Sequence, residues 1–395
     1  MNLNNSRQAF FALLNAGLWE KEVRLAQYGD IDFKAIYHLA NEQQVVGLVA
    51  AGLEMVADCK VPEEAVIPFG GDILKWEHQN RNMYQYTAKL FSVLQENGVD
   101  ALLVKGPGIA ECYEKPLWRV SGDLDLLLDA SNYERAKEVL IPLAKKVGRE
   151  DMALKHLDLT IGGGVIELHG TLHTRLSKKI DRAIDDAQAD CFQNHKVRTI
   201  RCAETDIPLP DLDNDILFVF THILHHFFIE GVGLRQICDW CRMLYTFTPT
   251  NSTQGGTEGY SGGQGTAYID RALLERRLKQ LGLLSEWKAF AALAVCWLEM
   301  PAEAMPLYDK RYKAKGDRIM KLVLASGNFG HKTLPKRSRN YWLGKLQAIG
   351  RNILRFARIA RIFPCDSPKF LCHYISDGIK LIIRERLGGG SCCSR

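Results

Sequence analysis

The chain has 395 residues, of which 47% are hydrophobic and 25% charged, which excludes a disordered chain and supplies enough apolar material for a core. At roughly 150 residues per domain, the length points to two or three domains, or to one with large additions. The formal charge of +5 is unevenly spread: residues 332–386 hold thirteen basic residues against three acidic ones, whereas the first 331 residues hold 37 basic against 43 acidic. An acidic body joined to a basic segment points to an anionic surface as the partner of residues 332–386, whether lipid headgroups, nucleic acid or the acidic body itself.

Residues 1–9 are polar and lack the basic start and apolar run of a secretion signal. The longest apolar runs, 45–53 and 289–298, are shorter than the roughly 20 residues of a spanning helix, so no transmembrane segment is expected. Eleven cysteines at irregular spacing read as reduced core residues. The expected location is the cytoplasm, with peripheral membrane contact as the alternative for the basic segment.

In chain order, residues 1–95 read as a helical N-terminal region, with Phe10, Phe11, Leu13, Leu14 and Leu18 at helical spacing, followed by Ile36, Leu39 and Ala40. Residues 96–205 read as an α/β core. Residues 99–104 form a buried strand that runs into the turn Lys105, Gly106, Pro107 and Gly108, and Pro107 suits the first turn of a short helix over 109–113. Residues 122–129 form a second strand with aspartates at alternate positions. Ser131 is placed to cap a helix reaching about Lys146. Residues 153–161 and 165–169 read as a hairpin joined at Gly162, Gly163 and Gly164. Residues 206–331 are helical again, interrupted by a Gly/Ser/Thr/Gln-rich flexible insertion at 251–265. Residues 332–387 read as basic amphipathic helices. Arg351, Arg355, Arg358 and Arg361 share one face, and Leu346, Ile349, Ile353, Phe356 and Phe363 the other. Residues 388–395 read as a disordered tail. The expected fold class is α+β, mostly α by residue count: a small mixed β-sheet core flanked by N- and C-terminal helical regions.

The chemistry concentrates in Asp123, Asp125 and Glu167. On a strand, residues two apart share a face, so Asp123 and Asp125 project together while Leu124 and Leu126 face the core. Two adjacent carboxylates repel unless a cation lies between them. Glu167 has the same polar-between-apolar setting, between Ile166 and Leu168. If its strand neighbours the aspartate strand, three carboxylates form a ligand set for Mg²⁺ (or Mn²⁺), of the kind that clamps an in-line phosphoryl displacement. The turn at Lys105, Gly106 and Gly108 offers backbone N–H groups and a cation to a phosphate. Arg119 and Ser121 precede the aspartates and are placed to reach the same phosphates. Lys155, His156 and His169 are candidate substrate contacts, His169 on the same face as Glu167.

The segment from Lys105 to Gly108, the run from Arg119 to Leu128 with its Asp-Leu-Asp, and Val165-Ile-Glu-Leu-His169 resemble the nucleotidyltransferase superfamily of DNA polymerase β. The similarity is to its bacterial branch of largely uncharacterised nucleotidyltransferase family proteins. Leu234-Arg-Gln-Ile-Cys-Asp239 and Gly327-Asn-Phe-Gly330 share that resemblance. Pro107 stands where the superfamily motif has Gly or Ser. The resemblance implies a nucleotidyltransferase core at 96–205. It implies Mg-dependent transfer of a nucleoside monophosphate from NTP to an acceptor hydroxyl, with pyrophosphate release. Asp123 and Asp125 would hold the metal, Glu167 would complete the site, and Lys105, Gly106, Gly108, Arg119 and Ser121 would bind the nucleotide. The acceptor, whether a small molecule, sugar, RNA or protein, is left open. The alternatives are a non-catalytic binding protein of the same fold, a tRNA-nucleotidylating toxin-like enzyme, and a glycosyltransferase using its DxD.

Three further groups have structural readings. His222, His225 and His226 fall on one helix but lack the acidic residue of a zinc-protease motif, so they read first as core or interface histidines, with substrate contact across the cleft as the alternative. Arg235 and Asp239 read as an i, i+4 helix ion pair. Cys238 and Cys241 have CxxC spacing without a second ligand pair and read as core thiols.

Overall fold

The computed structural model describes residues 3–249, 268–327 and 341–388. Apolar side chains at helical spacing bring α1 (Leu3–Trp19), α2 (Phe33–Gln43) and α3 (Val46–Glu54) together, burying Phe10, Leu13, Leu14, Leu18, Ile36 and Ala40. Asp32 caps α2 by accepting from the Ala35 N–H. The long α4 (Glu63–Glu96) backs the sheet with Phe91 and Leu94. Its Asn80 Nδ2 donates to the carbonyls of Leu117 and Arg119, which fixes the loop entering the aspartate strand.

The central sheet has the order β1-β2-β5-β4-β3, built from β1 (Leu102–Val104), β2 (Asp123–Leu127), β3 (Lys146–Val147), β4 (His156–Ile161) and β5 (Gly164–His169). β2 and β5 are parallel and the other neighbours antiparallel, so the sheet is mixed. Leu124, Leu126, Ile166 and Leu168 are fully buried on one face, against Tyr133 and Leu140 of α6 (Ala130–Leu140).

Local chemistry moves several expected boundaries. The short α5 (Gly106–Ala110) starts at the turn itself, three residues before the expected helix. Asp129, not Ser131, caps α6, by accepting from the N–H groups of Ser131 and Asn132. α6 stops at Leu140, because Pro142 has no N–H to extend it, and Lys146 joins an edge strand instead. Asp151 accepts from the N–H groups of Ala153 and Leu154, and this turn delays β4 to His156.

Beyond the sheet, α7 (Lys178–Gln193) sends Gln188 Nε2 to the carbonyls of Leu128 and Gly170, clamping the ends of β2 and β5 together. A two-stranded sheet, β6 (Val197–Cys202) and β7 (Thr205–Pro210), packs on the same core. α8 (Leu212–Ile229), α9 (Leu234–Thr246), α10 (Arg271–Leu281), α11 (Leu284–Trp297) and α12 (Lys313–Ser326) follow, with Phe220, Trp240, Trp287 and Phe290 in one aromatic cluster. Cys238 and Cys241 are buried free thiols, and burial pushes both up.

α13 (Tyr341–Ala360) and α14 (Asp366–Gly388) form a hairpin whose Phe356, Phe363 and Phe370 pack on Phe228 of α8. Two members of the expected basic and apolar faces change sides. Arg355 turns inward, donating to the Phe227 and Glu230 carbonyls at 2.9 and 2.8 Å. Ile353 is 43% exposed, and its neighbour Leu354 63%. The expected insertion at 251–265, residues 328–330 and 332–340, the side chains of Leu346 and Ile349, and the tail from 389 lie outside the described residues. Among the described residues, no helix is long and apolar enough to cross a membrane.

Candidate active site

The parallel pairing of β2 and β5 sets Asp125 level with Glu167, and Asp123 two residues along on the same face. Strand alternation adds His169 from β5 and, through the antiparallel β4–β5 pairing, His156 and Asp158. Lys105 enters from the end of β1, where Val104 is level with Asp125. Its backbone sits at φ +60°, followed by Gly106 at +45°. A non-glycine residue there costs of order 1–3 kcal/mol, and the turn uses it to aim Lys105 Nζ at Asp125 Oδ1, 2.8 Å away.

The carboxylates are unequal. Burial pushes Asp123 up to about 6, reinforced by the charges of Asp125 and Glu167. Burial also works against ionised Asp125, but Lys105 and the hydrogen bond from His169 Nε2 (2.9 Å) hold it below the usual range. Hydrogen bonds from His156 Nε2 at 3.3 Å and His169 Nε2 at 3.4 Å hold Glu167 well below its ordinary value. Burial lowers His169, yet Asp125 and Glu167 outweigh it and raise the ring.

A cavity of about 280 Å³ opens over this face. Lys105, Gly106, Ser121, Asp123, Asp125 and Glu167 form one side. The opposite wall comes from α8 and α9, with His222, His226, Glu230, Arg235 and Asp239. His222 Nε2 and His226 Nε2 are 3.0 Å apart, and His226 Nδ1 reaches Glu230 Oε2. Burial first, then the charge of Lys105, drives His222 well below its ordinary value, so it stands neutral in the wall. His225 turns away to the Thr174 carbonyl.

Not every expected residue converges here. Arg119 lines the cavity, but its guanidinium is occupied: Nε and Nη2 each donate to Asp239 at 2.8 Å, both side chains being 6% exposed, and Nη1 donates to Ser121 Oγ. Tyr113 OH also donates to Asp239 Oδ1. Asp239 thus takes Arg119 as its bidentate partner across 120 residues of sequence, rather than forming only the expected pair with Arg235, which donates to the Val120 carbonyl. Gly108 is absent from the cavity lining; a Cβ there would meet Leu209 Cδ2 at 2.3 Å, so this glycine serves packing against β7. Lys155 belongs to a different cavity, with Asp129, Gly170 and Gln188. The α8–α9 wall brings to the cavity residues that the sequence reads first as core or interface histidines and a helix ion pair, with substrate contact across a helix-walled cleft as the alternative. The available signal was the i, i+4 spacing of Arg235 with Asp239 and of His222 with His226.

A family model described as uncharacterised nucleotidyltransferase matches residues 29–254, more than half of the chain. The chain belongs to this family. The nucleotidyltransferase match takes in the whole central sheet, the Lys105 turn, the three carboxylates and the α8–α9 wall, and it ends before the C-terminal hairpin. No curated protein and no solved structure matches the chain.

Proposed function

We propose that the protein transfers a nucleoside monophosphate from an NTP to an acceptor hydroxyl and releases pyrophosphate. The observation that carries this reading is the convergence of Asp123, Asp125 and Glu167 beside the Lys105–Gly106 turn, on one side of a cavity. The donor set fits a divalent cation, because Asp123 is raised to about 6 by burial and by two like charges that a cation would offset. Mg²⁺ or Mn²⁺ held by Asp123, Asp125 and Glu167 would, when bound, neutralise phosphate charge and acidify the acceptor hydroxyl.

The remaining work falls to the chain. Lys105 meets the triphosphate from its strained turn, and Gly106 lets the phosphates approach the backbone. Glu167, kept ionised by His156 and His169, completes the cation site beside the acceptor, whose hydroxyl gives up its proton to the carboxylate cluster as it attacks. The acceptor oxygen forms its bond to the α-phosphorus as the bond to pyrophosphate breaks. Arg235, His222 and His226 face the reacting groups from the opposite wall and orient the acceptor. On this reading the mixed sheet is a polymerase β-type catalytic platform. The exposed Ile353 and Leu354 of α13, set among exposed Arg358 and Arg361, support peripheral contact with an anionic lipid surface.

The test is incubation with α-labelled NTPs, Mg²⁺ and a lysate of the source cell. Wild type is expected to pass label to an acceptor. Asp125→Ala is expected to lose at least about 10³-fold of that rate while keeping a cooperative melt. Equal labelling by wild type, Asp123→Ala and Asp125→Ala would sink the assignment.

A further inference from the structure

We infer that His156, Glu167 and His169 form a site for a nitrogen-preferring transition-metal ion such as Zn²⁺ or Co²⁺, beside the oxygen-only pair Asp123 and Asp125. One ligand atom from each of the three residues lies within 4.8 Å of the others. Glu167 Oε2 is 3.3 Å from His156 Nε2 and 3.4 Å from His169 Nε2. Ligands at about 2.0–2.1 Å from a tetrahedral metal are separated by about 3.3–3.4 Å, so both contacts have the length of a coordination edge.

The arrangement is built on rigid elements. His156 and His169 are directly opposite in the antiparallel β4–β5 pair, and Glu167 lies two residues back on the same face. The two imidazoles stack at 4.7 Å with 25° between their planes, and each points Nε2 at the same carboxylate oxygen. Asp125 Oδ1, 2.9 Å from His169 Nε2, adjoins the site as a fourth ligand atom, and the same oxygen meets Lys105 Nζ at 2.8 Å. Asp158 Oδ1 lies 3.3 Å from His156 Nε2.

Ligand softness separates the two ends of this face. Mg²⁺ takes oxygen ligands and keeps its waters, whereas imidazole suits Zn²⁺ and its neighbours. The role of this ion, at the acceptor side of the reaction, rests on the proposed nucleotidyl transfer through the shared Glu167; the existence of the site does not.

The test is titration of metal-free full-length protein with Co²⁺ in excess Mg²⁺, reading visible Co²⁺ absorption, with Zn²⁺ as competitor. Wild type is expected to bind one Co²⁺ in a low-symmetry, intensely absorbing site. His156→Gln and His169→Gln are each expected to weaken it by more than about 100-fold, beyond the cost of losing an outer-shell partner. Asp123→Asn is expected to leave it nearly unchanged. His156→Cys should retain Co²⁺ and add a thiolate-to-metal band, which separates loss of a ligand from loss of the fold. Absence of the visible Co²⁺ absorption in wild type, or its loss in Asp123→Asn but not in His156→Gln, overturns the inference. Co²⁺ uptake without NTP turnover under any cation supports this site and removes the transfer reading. Turnover with Mg²⁺ but no Co²⁺ site does the reverse.

Discussion

Two carboxylate clusters border the same cavity and differ in how their charge is balanced. At Asp239, Arg119 supplies two parallel hydrogen bonds and Tyr113 a third. Burial opposes that charge, but Arg119 holds the carboxyl below its usual range. Across the cavity, Asp123, Asp125 and Glu167 share one sheet face with Lys105 and His169, and Asp123 is left at about 6. The balanced cluster fastens α9 to the loop ahead of β2. The unbalanced one holds excess negative charge that a bound cation would relieve. Burial alone therefore does not single out a candidate site; burial with an unmet charge does.

The strongest way to break this contrast is Asp239→Ala. It leaves the Arg119 guanidinium buried and unpaired, and is expected to cost about 3–5 kcal/mol in urea unfolding. A loss under about 1 kcal/mol would mean that Arg119 readily turns into the cavity, as the sequence reading had placed it. Asp123→Asn should shift stability in the opposite direction. Its folded pKa of about 6 lies above the ordinary 3.8, so the stability it allows is fully present below pH 3.8 and is lost as pH rises through 6. In metal-free buffer at pH 8 the asparagine protein should be more stable than wild type by about 1–2 kcal/mol, and the two should converge near pH 3.8. Thermal melts across that pH range read the difference; a destabilised asparagine variant at pH 8 would erase the distinction between the clusters. The smallest expected effect concerns the hairpin. Replacing Leu354 by Asp and Arg358 by Glu should weaken pelleting with anionic vesicles at low salt several-fold, at about 1 kcal/mol per basic residue removed from the surface. Equal wild-type binding to neutral and anionic vesicles would end the lipid reading.

The aspartate strand was legible because strand periodicity is local: Asp123, Leu124, Asp125 and Leu126 alternate, and the faces follow. Glu167 and His169 were placed on one face by the same rule. What the local pattern could not carry was the pairing of Arg119 with Asp239, 120 positions away. A helix i, i+4 partner was the nearest local choice for Asp239, and a long-range bidentate partner joined the competition. The β6–β7 hairpin was missed for a different reason. Its turn is Ala203-Glu204, with Ala203 at φ +50°, where glycine or asparagine would have announced it. Arg355 likewise reads as a solvent-facing arginine in the helical pattern, and only the packing of α13 on α8 shows which carbonyls it meets.

That inward arginine links two parts of the molecule mechanically. Arg355 grips the terminal carbonyls of the helix whose preceding turns carry His222 and His226 into the cavity. A load applied to the hairpin is therefore delivered to the cavity wall through the end of one helix, bypassing the sheet that holds the carboxylates.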